Sequence, residues 1–185
     1  MDLRQVVSDI GSALAWVDKS GEPFRAFKPG VRPYGEPQLV GLIANYLNRP
    51  PEYCGAVRTK RTLDLLIPNE WAIEFKIARP YGDNGKEAEN WSVNLLHPYP
   101  GNVSTVGDCY KLCELPGPER KAVVVISYEH APPRISLTPL IESFEVVAKH
   151  VAGLELSPRV EVRVDNLIHP IHQSARIFAW QVLAC

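Results

Sequence analysis

Hydrophobic positions along the chain recur with two periods, and each period predicts one kind of element. Residues 2–17 and 37–48 place apolar side chains three or four positions apart, which predicts two amphipathic helices. The same spacing predicts a helix over residues 104–115, capped by Ser104 or Thr105. It predicts a fourth helix that begins at Thr138 and ends before Gly153.

Residues 63–77 show the period of strands and predict a β-hairpin. Residues 63–67 are apolar, and the chain then alternates from residue 71 onward. Trp71, Ile73 and Phe75 fall on one face, whereas Glu74 and Lys76 fall on the other. Residues 68–70, with the sequence PNE, provide a suitable three-residue turn between the two strands.

Further strands are predicted over residues 53–60, 121–128, 159–167 and 176–183. The segment 121–128 is a nearly continuous β-branched run, which is typical of a central strand buried on both faces. The element order predicts an α/β fold with a mixed central sheet flanked by helices. No repeat, linker or shift in composition divides the 185 residues, so one domain spanning residues 1–185 is expected.

The hairpin places two carboxylates opposite each other. Folding it about Asn69 brings Asp64 across from Glu74, with their Cβ atoms about 4.5–5.5 Å apart, where like charges are destabilising. A divalent cation would remove this repulsion, because hard oxygen ligands bind it from both sides. The alternative is a surface hairpin on which Asp64, Glu74 and Lys76 form a cross-strand cluster of charges.

An aspartate followed ten residues later by Glu-x-Lys across a hairpin resembles the PD-(D/E)xK signature of restriction-endonuclease-like nucleases. Leu63 stands where that signature usually has a proline. The family tends to carry an acidic residue on the helix before the hairpin, and Glu36 fits this position. The resemblance covers about residues 35–129 and implies a restriction-endonuclease-like αβββαβ core, with an N-terminal helix and a C-terminal helix plus strands around it.

The resemblance implies a Mg²⁺-dependent nuclease, with Mn²⁺ able to substitute for Mg²⁺. Asp64, Glu74 and the backbone carbonyl of Phe75 would bind the metal. Lys76 would orient or help to deprotonate the attacking water, or stabilise the charged transition state. Glu36 would reach the metal through water; alternatively, it only complements the dipole of its helix.

Basic residues supply candidate contacts to nucleic acid. Arg58, Lys60 and Arg61 lie just before the Asp64 strand, where they either contact phosphate or belong to a solvated edge strand. Lys111 is a further candidate phosphate contact, with a solvated helix lysine as the alternative; together with Asp108 it is expected to point outward. The net charge of −1 argues against bulk attraction to polyanions but allows such local clusters.

The expected substrate is DNA, cleaved internally; an RNA-cleaving enzyme and an inactive nucleic-acid-binding subunit are the alternatives. A homodimer is expected if both strands are cut in one encounter, with the apolar face of residues 176–183 as a candidate interface. The alternative is that this strand completes the sheet. No apolar run reaches the ~20 residues of a membrane span, and the N-terminus does not resemble a signal peptide, so a cytoplasmic protein is expected.

Two further features are the long segment after the hairpin and a pair of histidines near the end of the chain. The long segment 78–103 leaves directly from the Glu-x-Lys strand and should overhang the site, where Trp91, His97 and Tyr99 either stack on bases or pack the loop down. His169 and His172 form an HxxH pair that can bind zinc in principle. Pro170 breaks a helical presentation and no third ligand is evident, so they are interpreted as incidental histidines in a turn.

Overall fold

A mixed β-sheet of seven strands forms the centre of the molecule, and helices cover both of its faces. The computed structural model describes residues 1–20, 25, 27, 29–99, 101 and 103–184. The helices are α1 (Leu3–Lys19), α2 (Glu36–Leu47), α3 (Val93–Leu96), α4 (Thr105–Glu114) and α5 (Thr138–Val146). The strands are β1 (Arg58–Lys60), β2 (Leu63–Ile67), β3 (Trp71–Ala78), β4 (Arg120–Glu129), β5 (Glu155–Leu156), β6 (Val160–Asp165) and β7 (Ser174–Ala184).

The strands are arranged in the order β1-β2-β3-β4-β7, and both β5 and β6 pair with the second edge of β7. Strands β3 and β4 are parallel, because the chain crosses from one to the other through α3 and α4. All other neighbouring strands are antiparallel. The expectation of an α/β fold with a mixed sheet flanked by helices is confirmed.

Strands β2 and β3 form the predicted hairpin. Their register pairs Leu65 with Ile73 and Ile67 with Trp71, which is the register expected from folding the chain about residue 69. Asn69 itself adopts a left-handed conformation with φ of 61°, which asparagine tolerates better than most residues. Asparagine at position 69 therefore suits the turn that closes the hairpin.

Each face of the sheet has its own hydrophobic core. Helices α1 and α2 pack on the face that carries Leu65, Ile73 and Phe75. Helices α4 and α5 pack on the opposite face of the sheet, which carries Ala72 and Val123. Glu74 and Lys76 alternate with Ile73 and Phe75 along β3, so they point to the side covered by α4.

Polar side chains cap the N-termini of α1 and α4, and an acidic residue begins α2. Asp2 caps α1 and accepts from the backbone N–H of Arg4 at 3.4 Å. Ser104 caps α4, and its hydroxyl accepts from the N–H of Gly107 at 3.0 Å. Glu36 is the first residue of α2, immediately before a proline, so its carboxylate is fixed at the helix entry.

Three predicted elements differ from the observed ones. The strand expected over residues 53–60 is only three residues long, because residues 51–53 form a 3₁₀ turn that ends at Cys54 with φ of 51°. The last helix is α-helical only to Val146 and continues as a π-helical turn, Val147–Val151. The segment after β3 contains the short helix α3 and an isolated bridge between Tyr81 and Glu87.

The interface expected on residues 176–183 is wrong in its location. Strand β7 lies inside the sheet, between β4 on one edge and β5 with β6 on the other. Phe178 and Trp180 are buried, and the Trp180 ring packs 4.8 Å from the ring of Phe144 on α5. The apolar face that suggested a dimer is covered by the chain itself. None of the described helices is long and apolar enough to cross a bilayer.

Candidate functional site

Six ionisable side chains meet where the hairpin faces α4 and the start of α2. The hairpin contributes two carboxylates and one lysine, α2 contributes one carboxylate, and α4 contributes one carboxylate and one lysine. We call this group the charged cluster; its members are Glu36, Asp64, Glu74, Lys76, Asp108 and Lys111.

The hairpin register sets the two opposed carboxylates. Continuing the observed pairing of Leu65 with Ile73 by one residue places Asp64 opposite Glu74. The Oδ2 atom of Asp64 accepts from the backbone N–H of Phe75 at 2.8 Å. This hydrogen bond holds the Asp64 carboxylate against β3, next to the strand that carries Glu74.

Lys76 is surrounded by oxygen atoms. Its Nζ atom lies 2.9 Å from Oδ2 of Asp108 and 3.5 Å from Oε1 of Glu36, and it donates to the carbonyl oxygen of Phe75 at 3.2 Å. Burial by itself lowers the pKa of Lys76, but the carboxylates around it, first Asp108 and then Glu36, outweigh burial and raise the pKa. Lys76 is therefore a protonated ammonium group at neutral pH.

Glu74 is the most deeply buried carboxylate of the charged cluster. Its side chain is 3% exposed, and its Oε1 atom lies 2.7 Å from Nζ of Lys111. Burial raises the pKa of Glu74 to about 7, since removing water from a carboxylate disfavours its charged form; Lys111 opposes this effect. Glu74 thus changes its charge near neutral pH.

The outward orientation expected for Asp108 is wrong. Asp108 is buried, and burial raises its pKa, although the nearby Lys76 ammonium opposes the shift. Asp108 and Lys111 lie three residues apart, so both project from one side of α4 towards the hairpin. Their spacing along the helix axis is about 4.5 Å, whereas Glu74 and Lys76 are ~6.6 Å apart along the strand. These spacings do not show that α4 packs on β3, so no local signal in the sequence identifies Asp108.

Glu36 lies at the edge of the charged cluster. It contacts Lys76 from the entry of α2, and burial raises its pKa. It also forms part of a cavity of about 330 Å³ whose walls include Arg79, Trp91 and Asn94. The segment that follows β3 therefore borders the site, as expected from its position in the chain.

The three basic residues before Asp64 lie apart from this group. Arg58 and Lys60 belong to the edge strand β1, where they pair with Leu66 and Leu63, and Arg61 follows in the turn. All three are exposed, and none of them forms an ion pair with another described residue. Contact with phosphate stays a prediction for them, as does the alternative of a solvated edge. Lys111, in contrast, is held by Glu74.

The oxygen atoms of the site have the chemistry that Mg²⁺ requires. Asp64, Glu74 and the carbonyl of Phe75 are hard donors, and Mg²⁺ commonly takes one or two carboxylates together with water and substrate phosphate. The four carboxylates of the charged cluster face only two lysines, which leaves two negative charges to be compensated when all are ionised. Among the described residues, no three His, Cys, Asp or Glu side chains are already arranged around a common metal position.

A second polar group lies around His169, which is fully buried. Its Nε2 atom is 2.7 Å from Oδ1 of Asp83, and its Nδ1 atom accepts from the backbone N–H groups of Ile171 and His172 at 3.2 and 3.3 Å. Nδ1 of His172 lies 3.4 Å from Nδ1 of His169. The two histidines of the HxxH sequence are thus part of the interior rather than incidental.

His130 and Tyr128 complete this second group, which we call the histidine cluster (Tyr128, His130, His169 and His172). The ring of His172 lies 6.0 Å from that of His130 and 6.1 Å from that of Tyr128. Burial lowers the pKa of His172 to about 3, and the positive charge of Arg32 acts in the same direction. His172 is therefore neutral under ordinary conditions.

Comparison of the chain with protein-family models, with curated proteins and with solved structures gave no match. Any assignment of function therefore depends on the residues and geometry of the charged cluster itself.

Proposed function

We propose that the protein is a Mg²⁺-dependent nuclease of the restriction-endonuclease-like type that hydrolyses phosphodiester bonds of DNA. The observation that carries this proposal is the opposition of Asp64 and Glu74 on one hairpin, with Lys76 on the same face as Glu74. Two carboxylates and a lysine in this order match the Asp…Glu-x-Lys signature. Glu36 contacts the lysine from the preceding helix, where the signature has its further acidic residue.

The order of elements supports the same proposal. Helix α2, the strands β1, β2 and β3, helix α4 and strand β4 follow one another as αβββαβ, with the short α3 inside the crossover. The two parallel strands β3 and β4 are neighbours in the sheet. Helix α1 precedes this core in the chain, and the segment after Glu129 follows it.

Asp64, Glu74 and the Phe75 carbonyl would hold Mg²⁺ in this proposal. When bound, the ion would activate a water molecule and neutralise charge on the phosphate. Asp64 is fixed by the Phe75 N–H, so its carboxylate needs little reorganisation to act as a ligand. Glu74 must be ionised and must exchange its contact with Lys111.

Lys76 would stabilise negative charge rather than remove a proton. A lysine whose pKa is raised by surrounding carboxylates has no vacant lone pair at neutral pH, so it is unsuited to act as a general base. A fixed ammonium group is well suited to the charge that develops on phosphate oxygens in the transition state. Asp108 would then be a positioning residue, because it holds the Lys76 ammonium at 2.9 Å.

A nucleic-acid-binding subunit without turnover is the second candidate function. The observation that favours it is that two oxygens proposed as metal ligands, Oε1 of Glu74 and the carbonyl oxygen of Phe75, each contact a lysine. Ion pairs of this kind can hold a fold together without any reaction. Retention of DNA binding without cleavage under all metal conditions would support this candidate.

The experiment that tests the proposal compares supercoiled plasmid, linear DNA and RNA as substrates, each with Mg²⁺, with Mn²⁺ and with EDTA. Wild-type protein is compared with Glu74→Gln and with the control Glu142→Gln, which changes an exposed glutamate on α5. We expect cleavage of DNA with metal by wild type and the control only. Equal cleavage by Glu74→Gln, or cleavage in EDTA, would contradict the assignment.

The form of the plasmid product also tests the expected homodimer. One metal site cuts one strand, so direct conversion to linear DNA requires two sites acting together. Sedimentation in the same buffer gives the number of chains. A monomer that only nicks the plasmid would contradict the dimer and leave the nuclease proposal intact.

A further inference from the structure

Two ion pairs cross between β3 and α4, and they differ in how firmly they are held. Lys76 pairs with Asp108 at 2.9 Å, and Lys111 pairs with Glu74 at 2.7 Å. The Lys76 and Asp108 side chains are 12% and 10% exposed. The Lys111 side chain is 46% exposed. One pair is enclosed in the protein, whereas the other joins a buried carboxylate to a lysine that reaches it from the surface.

The contacts of the two lysines lead to the same distinction. Lys76 has three oxygen neighbours, from Asp108, Glu36 and the Phe75 carbonyl. Among the described residues, Lys111 forms an ion pair with Glu74 alone. Fixing a long lysine side chain costs conformational entropy, so a single contact holds it less firmly than three. Lys111 is therefore the member of the charged cluster that can move.

Lys111 contacts Oε1, one of the two carboxylate oxygens that Glu74 offers to a metal. Glu74 is nearly inaccessible, and the Lys111 ammonium already lies 2.7 Å from its Oε1 atom. A cation and an ammonium group cannot both take this position, because like charges at such a distance repel strongly in a medium of low dielectric constant. Binding of a divalent cation to Glu74 requires that Lys111 leave.

A space into which Lys111 can move is present beside it. A cavity of about 330 Å³ is lined by Gly101, Val103, Gly107, Asp108, Tyr110, Lys111 and Glu114. It lies between α4 and the segment that precedes this helix. Phosphate is the natural partner for a displaced lysine next to a metal, since lysine binds phosphate as a point charge.

We propose that Lys111 is an exchangeable counter-ion: it neutralises Glu74 in the metal-free protein, and it transfers to a phosphate of the nucleic acid when a divalent cation takes its place. This inference rests on the proposed function. It assigns to Lys111 two successive partners, and it distinguishes Lys111 from Lys76, which keeps Asp108 throughout. Lys111 competes with the metal and assists the substrate.

The first measurement is the affinity for Mn²⁺ alone, without nucleic acid, by titration calorimetry at pH 8.5, where Glu74 is ionised. Lys111→Met is compared with wild type and with Lys149→Met, which changes an exposed lysine in the π-helical turn after α5. Thermal unfolding in EDTA verifies that each variant is folded, and Lys111→Gln serves as a second variant. We expect Lys111→Met and Lys111→Gln to bind Mn²⁺ about 3-fold to 10-fold more tightly and the control to be unchanged.

The second measurement separates metal binding from substrate binding in steady-state cleavage. We expect KM for DNA to rise about tenfold in Lys111→Met, with partial recovery in Lys111→Arg, even though the metal binds more tightly. If wild type binds no Mn²⁺, both the proposed function and this inference are overturned. If wild type binds Mn²⁺ but Lys111→Met binds it no more tightly, only the inference is overturned. Tighter Mn²⁺ binding with unchanged KM would overturn the transfer to phosphate.

Discussion

The charged cluster and the histidine cluster are two groups of buried polar side chains in one small protein, and burial shifts their pKa values in opposite directions. In the charged cluster, burial raises the pKa of Glu74 to about 7 and is opposed by a lysine. In the histidine cluster, burial lowers the pKa of His172 to about 3. Desolvation disfavours the charged form in both cases; Lys111 opposes it at Glu74, whereas Arg32 acts in the same direction as burial at His172.

This difference indicates which group can act on a charged ligand. Ionised carboxylates and ammonium groups attract metal ions and phosphates, whereas burial lowers the pKa values of His130 and His172 and so disfavours their charged forms. His169 directs one ring nitrogen to Asp83 and the other to two backbone N–H groups, so both nitrogens already have partners. The histidine cluster is therefore expected to stabilise the fold, and the charged cluster to carry the chemistry.

The largest expected effect is on cleavage. Asp64→Asn or Glu74→Gln should lower the rate on the order of 10²–10³-fold or more, because each change removes one charged ligand from the reacting centre. The measurement is single-turnover cleavage of DNA with saturating Mg²⁺, with circular dichroism to verify folding. A variant that keeps the wild-type rate would remove the distinction between the two groups.

The next effect concerns Asp108 as the residue that positions Lys76. Asp108→Asn should lower cleavage about 10-fold to 100-fold, the range observed for outer residues that orient a metal site. The loss of the main carboxylate beside Lys76 should also lower the pKa of that lysine, so the alkaline limb of the pH–rate profile should move to lower pH. Partial recovery in Asp108→Glu is expected. A rate loss with an unchanged alkaline limb would indicate a purely structural role.

The third effect is on stability without metal. The pKa of Glu74 is higher in the folded protein than its ordinary value of 4.5, so Glu74 stabilises the fold fully below about pH 4.5 and loses this contribution as pH rises through 7. A pKa difference of 1 between the folded and the unfolded state corresponds to about 1.4 kcal/mol of stability. Relative to wild type, Glu74→Gln should thus gain on the order of 1–3 kcal/mol between pH 4.5 and pH 8. Urea unfolding in EDTA measures this difference; a constant difference across the range would contradict it.

The smallest expected effect lies in the histidine cluster. His172→Gln should change cleavage less than about twofold and lower the free energy of unfolding by about 1–2 kcal/mol through lost hydrogen bonding. The folded pKa of His172 is lowered, so its contribution is present above pH 6.5 and is lost as pH falls towards 3. The stability difference between wild type and variant should therefore shrink in acid. A large loss of cleavage by a folded His172→Gln variant would mean that the histidine cluster takes part in the reaction.

The sequence was sufficient for the hairpin because its determinants are local. The alternation of Trp71, Ile73 and Phe75, together with the turn at Asn69, fixes the register that the structure shows. The position of Asp64 opposite Glu74 follows from that register. These features depend on residues fewer than 15 positions apart, so no knowledge of distant partners is needed.

The features that could not be predicted depend on distant contacts. The apolar stripe of α4 suggested that Asp108 faces solvent, yet the whole first turn of that helix is buried against the sheet. Packing of α4 on β3 determines this orientation, and helical spacing does not reveal it. In the same way, the alternation of β7 predicts a strand but not its neighbours, so it does not distinguish an interface from a strand that completes the sheet, which is what the structure shows.

The central position of β7 has a consequence for how the protein folds. Its partners on β4 lie at least 45 residues earlier in the chain, since the nearest pair joins Glu129 to Ser174. Closure of such long loops precedes the stabilising contacts, which slows folding of sheets with non-local pairing. Any species that lacks residues 174–184 would expose the β-branched edge of β4, an unpaired strand able to recruit other chains. Truncation within β7 should therefore lead to aggregation.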